Sequence, residues 1–267
     1  MAGGASPGVA ALDAATVEHY LARIGHDPVQ QPDIEVLASL QDAHVRTVPF
    51  ENLDIHLGTP LSLDVDDLAA KVVTRRRGGF CYELNGLFCA LLQAVGFRAW
   101  LVEARARNDD GSLGPRFDHA RILVTLDPDE QPLLVDVGTG ASPRGPIHLH
   151  DGPQRIGHRW YRVLIDADHY DTQTYQDEAW VQGWAFDTTP RTLGDFSERC
   201  RFHQTSPDSH FTHKPLATLV TADGQVTLSG RTLTVVRGGN REEQVVDDPL
   251  AVLAERFGIT LERWPGS

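Results

Sequence analysis

The chain has 267 residues, of which 41% are hydrophobic and 23% are charged. This length allows one large domain or two to three small ones with a substantial core, and the composition is that of an ordinary globular protein. The formal charge of -13 and the sequence pI of about 5.3 argue against a protein that binds nucleic acid or anionic membranes, because both need a basic surface.

The first third of the sequence predicts four helices, because apolar side chains recur there at the i, i+3, i+4 and i+7 positions. Each helix has a start or stop residue of the usual kind, with aspartates as N-caps and glycines after the last turn. They are a helix that ends at Gly25, one that Asp33 caps and that stops before Pro49, one that Asp64 caps, and one that runs from about Cys81 to Gly96.

After residue 96 the apolar period changes to two, which is typical of β-strands. The predicted strands are 99–106, 119–126, 133–137, 160–165, 217–221 and 232–236, with turn-forming clusters such as 108–111 and 127–129 between them. Asp248 is predicted to cap a last helix that starts at Pro249 and ends at Gly258. The pattern therefore predicts an α+β fold with an N-terminal helical bundle (1–95), a central antiparallel sheet or barrel (96–199) and a small C-terminal α/β lobe (200–267).

The three cysteines are too few, and odd in number, for the disulfide framework of a secreted protein. No C-x-x-C pair or H-E-x-x-H run occurs, so the sequence predicts no metal site. Residues 1–15 lack the basic and apolar stretches of a secretory signal, and the apolar stretch 87–97 is too short to span a bilayer. We therefore expect a cytoplasmic protein, with Cys89 as a core thiol and Cys200 in a charged loop.

The segment 75–83, RRRGGFCYE, is the most informative feature of the sequence. Cys81 stands at a predicted helix start, where unpaired N–H groups and the helix dipole favour a thiolate. The three arginines add positive potential, and Gly78 and Gly79 allow a sharp turn that leaves room for a substrate. The alternative is an inert core thiol, because Cys81 shares its helix face with apolar residues.

A nucleophilic thiol needs a base and a group that orients the base. His119 begins one predicted strand, and Asp136 is a lone carboxylate in the apolar run 133–137. A buried carboxylate needs a partner, and an imidazole N–H donated to Asp136 would also orient the ring toward Cys81. The alternative, that Asp136 only accepts backbone N–H bonds and that His119 is an ordinary histidine, stays open at this point.

The simplest strand register opposes this pairing. A symmetric hairpin about 129–130 places Asp136 opposite Leu123, four residues and about 13 Å along the strand from His119. Direct pairing then needs an asymmetric loop centred nearer 127–128, or a bulge. The sequence alone does not decide between these arrangements.

Several segments, in this order, resemble the arylamine N-acetyltransferase family. They are 48–53 (VPFENL), 77–85 (RGGFCYELN), 119–120 (HA), 134–138 (LVDVG), 203–211 (HQTSPDSHF) and the closing segment 249–261. The resemblance covers most of the chain, and it implies a helical bundle, a β-barrel and a third α/β lobe around a cysteine-protease-like core. It implies a triad of Cys81, His119 and Asp136 that performs ping-pong acetyl transfer from acetyl-CoA to an aromatic amine or hydrazine.

The same resemblance implies further site residues and partners. The acceptor pocket would be formed by Phe50, Tyr82, Thr139 and Phe211, and the CoA site by Gly138, Thr205 and Ser206. Independently of the resemblance, the acidic chain would need a local basic site for the CoA phosphates, and Arg201, His213 or Lys214 could supply it. The alternative for the two phenylalanines is that they only pack in the core. The alternative for 205–209 is that it only forms a capped turn. No metal, nucleic acid or membrane is implied, and a homo-oligomer is left open.

One position departs from the family. Where an aromatic residue usually follows the first glycine after the triad aspartate, this sequence has Thr139. The missing ring removes apolar area near the acceptor, which weakens the prediction of an arylamine acceptor but not that of the thiol chemistry. Two alternatives use the same triad, namely an amide synthase that closes macrolactam rings and a cysteine acyl hydrolase. A non-catalytic binding module with a degenerate triad is the third.

Overall fold

The computed structural model describes residues 9–108 and 110–265. The expected absence of a secretory signal in 1–15 and the predicted turn at 108–111 therefore lie partly outside the described residues. Within them, the α-helices are α1 (Ala14–Ile24), α2 (Ile34–Thr47), α3 (Leu53–Leu57), α4 (Val65–Ala69), α5 (Cys81–Ala94), α6 (Ser197–Thr205) and α7 (Pro249–Phe257).

The strands form two antiparallel sheets. They are β1 (Phe50–Glu51), β2 (Arg98–Ala106), β3 (His119–Thr125), β4 (Leu133–Val135), β5 (Ile147–His148), β6 (Gln154–Ile156), β7 (Arg159–Asp166), β8 (His169–Gln176), β9 (Ala179–Asp187), β10 (Leu216–Val220), β11 (Gly224–Ser229), β12 (Thr232–Arg237) and β13 (Asn240–Val245). The larger sheet has the order β5-β4-β3-β2-β9-β8-β7-β6, and the smaller sheet has the order β1-β10-β11-β12-β13.

The predicted helix caps are confirmed. Asp33 accepts a hydrogen bond from the Val36 N–H at 2.9 Å, and Asp64 and Asp248 cap α4 and α7 in the same way. Gly25 ends α1 in the left-handed conformation with a φ of 71°. These local signals are independent of tertiary packing, which is why the sequence predicts them correctly.

The prediction that Cys200 lies in a loop is wrong. Cys200 lies within α6, where it and His203 are the buried residues of an otherwise charged and exposed helix. Because so few apolar side chains mark the buried face, the helical period is too weak to read from the sequence.

The larger sheet is the β-barrel of this α+β fold. Its two outer strands, β5 and β6, are joined across the remaining gap by the Gln154 side chain, which makes two hydrogen bonds of 2.8 Å with the His148 backbone. The strands β8 and β9 were not predicted, because polar residues such as Gln173 and Gln182 interrupt the alternation of their apolar residues. The barrel thus has more strands than the sequence pattern indicates.

The smaller sheet includes a strand from the N-terminal third of the chain. In β1, Phe50 pairs with Thr218 and Glu51 pairs with Ala217 of β10. The helical bundle and the C-terminal lobe therefore share backbone hydrogen bonds. The division of the chain into three domains after residues 95 and 199 remains a proposal. In this division, the sheet of the third domain includes one strand, β1, from the first domain.

The helix α5 lies at the centre of the molecule and packs on the barrel strands β2 and β3. Its residues 81–92 are all buried, so the helix is enclosed on every side, as expected for a helix inside a core. This arrangement puts the start of α5, with Cys81, beside the first residues of β3. No helix in the described part of the chain is long and apolar enough to cross a membrane.

Candidate active site

The turn that precedes α5 is shaped by close backbone packing. Gly79 forms a parallel bridge with Phe50, and a Cβ atom on Gly78 would overlap the carbonyl oxygen of Pro49. Neither Gly78 nor Gly79 has a positive φ. The space that the sequence suggested for a substrate is therefore occupied by the Pro49–Phe50 backbone, and Gly78 is needed for this contact, whereas a Cβ atom on Gly79 would meet the Glu83 side chain.

A buried lysine supports the start of α5. Lys71 lies 2.7 Å from the carboxylate of Glu83 and 2.8 Å from that of Asp54. The other oxygen of Glu83 accepts a hydrogen bond from the Phe80 N–H at 3.1 Å. Burial raises the pKa of Glu83, and the charge of Lys71 opposes this rise. The first turn of α5 is thus held by an ion pair that is shielded from water.

Replacing Lys71 by methionine is expected to lower the free energy of unfolding by about 3–5 kcal/mol, because Glu83 would become a buried charge without its cation. Urea denaturation measures this loss. The chain offers a matched control, since its other lysine, Lys214, is exposed, and Lys214→Met should change stability by less than about 0.5 kcal/mol. Equal stability of the two variants would contradict the prediction.

The arginine run does not supply the positive potential that the sequence suggested. Arg75 and Arg76 are exposed, and the Arg77 guanidinium lies 2.8 Å from both Glu51 and Asp54. Since these carboxylates neutralise Arg77, little of its charge is left to stabilise a thiolate. The arginine run therefore gives no support for a thiolate at Cys81.

The Cys81 thiol is buried, with 3% of the residue exposed. Burial raises the pKa of the thiol well above its usual value, the nearby Cys200 adds to the rise, and a hydrogen bond from the Ala120 backbone opposes it. The predicted stabilisation of the thiolate by the helix start alone is therefore outweighed by desolvation. A nucleophilic role for this thiol would therefore require a neighbouring base.

The structure brings His119 and Asp136 together. His119 donates its Nε2–H to Asp136 Oδ2 at 2.8 Å, and both residues are buried. The strand register pairs Ile122 with Val135, so Asp136 stands opposite Arg121 rather than Leu123. Because residues 119 and 121 point to the same face of β3, His119 is a diagonal neighbour of Asp136. Neither a bulge nor an asymmetric loop is needed.

Among the described residues, Asp136 accepts hydrogen bonds from four groups. His119 and Arg121 bind Oδ2, at 2.8 and 3.0 Å, and the Asn85 amide and the Gly138 N–H bind Oδ1, both at 3.0 Å. Burial alone would raise the pKa of Asp136, but the charges of His119 and Arg121 and the amide hydrogen bond hold it well below its usual value. Asp136 is therefore an anion that accepts the His119 N–H.

Asn85 joins the helix to the barrel. It lies one turn after Cys81 on α5, and its Nδ2 donates to the Ala120 carbonyl at 2.6 Å as well as to Asp136. Its Oδ1 accepts the Val137 N–H at 2.9 Å. One amide side chain thus fixes the distance between the element that carries Cys81 and the two strands that carry His119 and Asp136.

Gly138 is packed against the start of α5. A Cβ atom there would lie 2.8 Å from Cys81 Cα and closer still to the Asn85 amide. We expect Gly138→Ala to cost about 1–3 kcal/mol of stability and to slow any chemistry at Cys81. Thermal unfolding and thiol alkylation measure these effects. Gly145→Ala in the same connection is the control, because its Cβ would make ordinary contact at 3.4 Å, so equal losses would contradict the prediction.

The predicted acceptor residues separate into two groups. Phe50 and Phe211 lie 6.1 Å apart between ring centroids, and Phe211 is 5.4 Å from Phe80, next to Cys81. Tyr82 is fully buried, and its hydroxyl donates to the Phe117 carbonyl at 2.7 Å. The structure thus brings the two phenylalanines together near the thiol, whereas Tyr82 packs in the core.

Thr139 is partly buried, and its hydroxyl belongs to a local turn. Its Oγ1 lies 3.1 Å from the Ser142 hydroxyl and accepts the Ala141 N–H at 3.3 Å. The Thr139 N–H donates to the Ser142 hydroxyl at 3.0 Å. The threonine therefore stabilises the connection after β4.

The predicted CoA residues are divided between two places. Gly138 lies beside Cys81, whereas Thr205 and Ser206 lie at the C-terminal end of α6. Thr205 donates its hydroxyl to the Arg201 carbonyl at 2.9 Å. The basic candidates Arg201, His213 and Lys214 are exposed on the same segment. The predicted basic side chains are thus exposed around the end of α6, together with the carboxylate of Asp208.

Three buried or partly buried residues of this site were missed by the sequence analysis, namely Asn85, Arg121 and Trp184. Asn85 follows Cys81 by four positions, which is a helical spacing, and Arg121 follows His119 by two, which is a strand spacing. Those two signals could have been read. Trp184, which stacks on the His119 ring, lies in the unpredicted strand β9 and had no local signal.

No group of three or more histidine, cysteine, aspartate or glutamate side chains within 9–108 and 110–265 could hold a metal ion. The cysteines of the site, Cys81 and Cys200, are both free.

The chain is similar to known proteins both in sequence and in structure. A family model described as N-acetyltransferase matches residues 33–264. The chain is 38% identical over 251 residues to an arylamine N-acetyltransferase of Mycolicibacterium smegmatis, covering 91% of each chain. It is 31% identical over 253 residues to the arylamine N-acetyltransferase of Escherichia coli K12, covering 92% of this chain and 89% of that one.

Two solved structures are similar over nearly the whole chain. The M. smegmatis arylamine N-acetyltransferase superposes with a TM-score of 0.86 at 36% identity, covering 94% of this chain and 93% of that one. The Mycobacterium marinum arylamine N-acetyltransferase in complex with CoA superposes with a TM-score of 0.84 at 33% identity, covering 91% and 92%.

Proposed function

This chain belongs to the arylamine N-acetyltransferase family, and from this premise we propose that it transfers an acetyl group from acetyl-CoA to an arylamine or arylhydrazine by a ping-pong mechanism through an acetyl-Cys81 thioester. The chain is accordingly an acyltransferase with acetyl-CoA as its cosubstrate. The observation that carries the proposed mechanism is the His119–Asp136 hydrogen bond of 2.8 Å, which Asn85 ties to the helix of the buried thiol.

His119 acts as the base for the Cys81 thiol. Because its Nε2–H is donated to Asp136, the other ring nitrogen, Nδ1, is the one that exchanges protons. Transfer of the thiol proton to Nδ1 gives a thiolate and an imidazolium, and Asp136 stabilises the imidazolium without itself taking the proton. A thiol that burial makes a weak acid becomes a nucleophile through this pair.

In the first half-reaction the Cys81 thiolate attacks the acetyl carbonyl carbon of acetyl-CoA. The first-turn N–H groups of α5 are candidate donors to the oxyanion of the tetrahedral intermediate. The carbon–sulfur bond to CoA then breaks, and the leaving sulfur takes the proton from His119. Acetyl-Cys81 and free CoA are the products.

In the second half-reaction an amine attacks the acetyl-Cys81 carbonyl, and His119 accepts the proton that the nitrogen loses. The bond between carbon and Cys81 sulfur breaks, the amide leaves, and the sulfur recovers a proton from His119. Phe50 and Phe211, which lie together beside Phe80, are proposed as apolar walls for the arene. Thr139 is proposed to face the acceptor side, and Tyr82 to support the pocket from the core.

We further propose that CoA lies along the surface between Gly138 and the end of α6, with Thr205 and Ser206 beside it. The exposed Arg201, His213 and Lys214 would meet the phosphates there, since the chain as a whole is acidic. The three free cysteines fit a reducing compartment such as the cytoplasm.

Mass spectrometry after incubation with acetyl-CoA tests the thioester. We expect one added acetyl group that peptide mapping assigns to Cys81, with Cys89 and Cys200 unmodified, and no addition after prior alkylation of the enzyme. Added arylamine should discharge the acetyl group as an N-acetyl product. An enzyme that stays unmodified, or that carries the acetyl group elsewhere, would refute the mechanism. Discharge at the same rate without an amine would instead favour an acyl hydrolase.

A further inference from the structure

The indole of Trp184 stacks directly on the imidazole of His119. The two ring centroids are 4.5 Å apart, and the planes are inclined by 26°. His119 is buried, whereas Trp184 is partly exposed. One face of the proposed base is therefore covered by an aromatic surface.

A β-bulge puts Trp184 in this place. Gly183 and Trp184 on β9 lie opposite the single residue Thr172 on β8, where the strand register shifts. A Cβ atom on Gly183 would lie 2.7 Å from the Thr172 carbonyl oxygen, so only glycine allows this close approach. Bulges of this kind redirect side chains near functional sites, and here the redirected side chain is the one that meets His119.

The Thr172 hydroxyl fixes the backbone of the bulge. It donates to the Trp184 carbonyl at 3.2 Å and accepts the Trp184 N–H at 3.3 Å and the Arg121 guanidinium at 3.0 Å. One donor and two acceptor positions complete the capacity of a hydroxyl group. Since Arg121 also binds Asp136, and Asp136 binds His119, the contacts close into a ring that returns to Trp184.

The charges within this closed set of contacts suggest that the indole stabilises a protonated His119. Asp136 Oδ2 is shared between His119 and Arg121, and the arginine is a permanent cation. The carboxylate is thus already paired before His119 accepts a proton. An aromatic face next to the ring stabilises the resulting cation, because the π-system carries partial negative charge.

We propose that Trp184 is a positioning residue for His119, which holds the imidazole in the orientation that receives the Cys81 proton and stabilises its protonated form. This inference rests on the proposed function, in which His119 is the base. It concerns the half-reaction that acetylates Cys81, and it predicts no contact between Trp184 and CoA.

The test compares Trp184→Leu, Trp184→Phe and the control Trp180→Leu. Trp180 is on the same strand and packs on Tyr175 instead, with ring centroids 5.3 Å apart. Three quantities are measured for each variant. They are the single-turnover rate of Cys81 acetylation by acetyl-CoA, the rate of Cys81 alkylation by iodoacetamide at pH 7, and the dissociation constant of CoA. We expect Trp184→Leu to slow acetylation and alkylation by roughly 2- to 30-fold with an unchanged CoA dissociation constant. Trp184→Phe should recover most of the rate, and Trp180→Leu should match the wild type.

A wild-type rate in Trp184→Leu, or equal rates in the leucine and phenylalanine variants, would overturn the inference. NMR of the wild-type protein provides a second test, which does not depend on whether a variant folds. The stacked indole should shift the signals of the His119 ring protons upfield. Unshifted signals would also overturn the inference. His119→Asn separates the two proposals. If that variant acetylates Cys81 at the wild-type rate, the proposed function fails, whereas a normal rate in Trp184→Leu alone removes only the role of Trp184.

Discussion

Replacing Cys81 by serine is expected to lower the steady-state rate of acetyl transfer by about 10⁴-fold or more. The Cys81 thiol is buried, and burial raises its pKa, so even the native nucleophile depends on proton transfer to His119. A serine hydroxyl is a far weaker acid, and the same imidazole cannot ionise it to a useful extent. Release of free CoA in the presence of an arylamine measures the rate.

The other two cysteines provide the controls for this prediction. Cys89 is fully buried in the middle of α5, and Cys200 is buried in α6. Cys89→Ala and Cys200→Ala should keep the rate within about tenfold of the wild type, because within the described residues neither thiol forms a hydrogen bond with His119 or Asp136. A Cys81→Ser enzyme with more than a hundredth of the native rate would show that Cys81 is not the nucleophile.

Replacing Asp136 by asparagine is expected to lower the rate constant of Cys81 acetylation by about 10³- to 10⁴-fold. An amide keeps one acceptor oxygen but presents an NH₂ group in place of the other, where two donors converge. In either orientation one pair of donors loses its acceptor. The imidazole loses both its orientation and the carboxylate that would stabilise the imidazolium of the proposed mechanism.

The same substitution leaves the buried Arg121 cation without its carboxylate, so a loss of about 3–5 kcal/mol in the free energy of unfolding accompanies the loss of rate. The kinetics therefore need a temperature at which circular dichroism shows a folded variant. Asp118→Asn is the matched control, since Asp118 precedes His119 but pairs with Arg199 and His203. We expect it to change the acetylation rate by less than about tenfold, and equal losses in both variants would contradict the assignment.

The sequence is most informative where one residue determines local geometry. The aspartate caps and terminal glycines predict α1, α2, α4 and α7, because capping uses hydrogen bonds within a few residues of the chain. The lone Asp136 in an apolar strand indicates a buried charge that needs a partner. Both predictions rest on general physical rules. A helix end needs hydrogen-bond partners, and a buried charge without a partner is unfavourable in any fold.

The sequence is least informative where register or a distant strand decides. The symmetric β3–β4 hairpin places Asp136 opposite Leu123, whereas the observed register, shifted by one residue on each strand, places it opposite Arg121. Side-chain packing determines this register, and the local sequence does not show it. Trp184 meets His119 through a bulge between two polar strands that the apolar pattern does not reveal. The raised pKa of the Cys81 thiol likewise follows from burial, whose extent depends on the packing of elements that are distant in the sequence.

The pairing of β1 with β10 has a consequence for how the protein matures during synthesis. The turn that carries Cys81 rests on the Pro49–Phe50 backbone, and that backbone is held by Thr218 of β10, far along the chain. Such a long-range contact forms late, because closing the intervening loop costs entropy before the contact repays it. A growing chain that has already emerged past Cys81 therefore carries an unfinished thiol site until the last quarter of the protein leaves the ribosome.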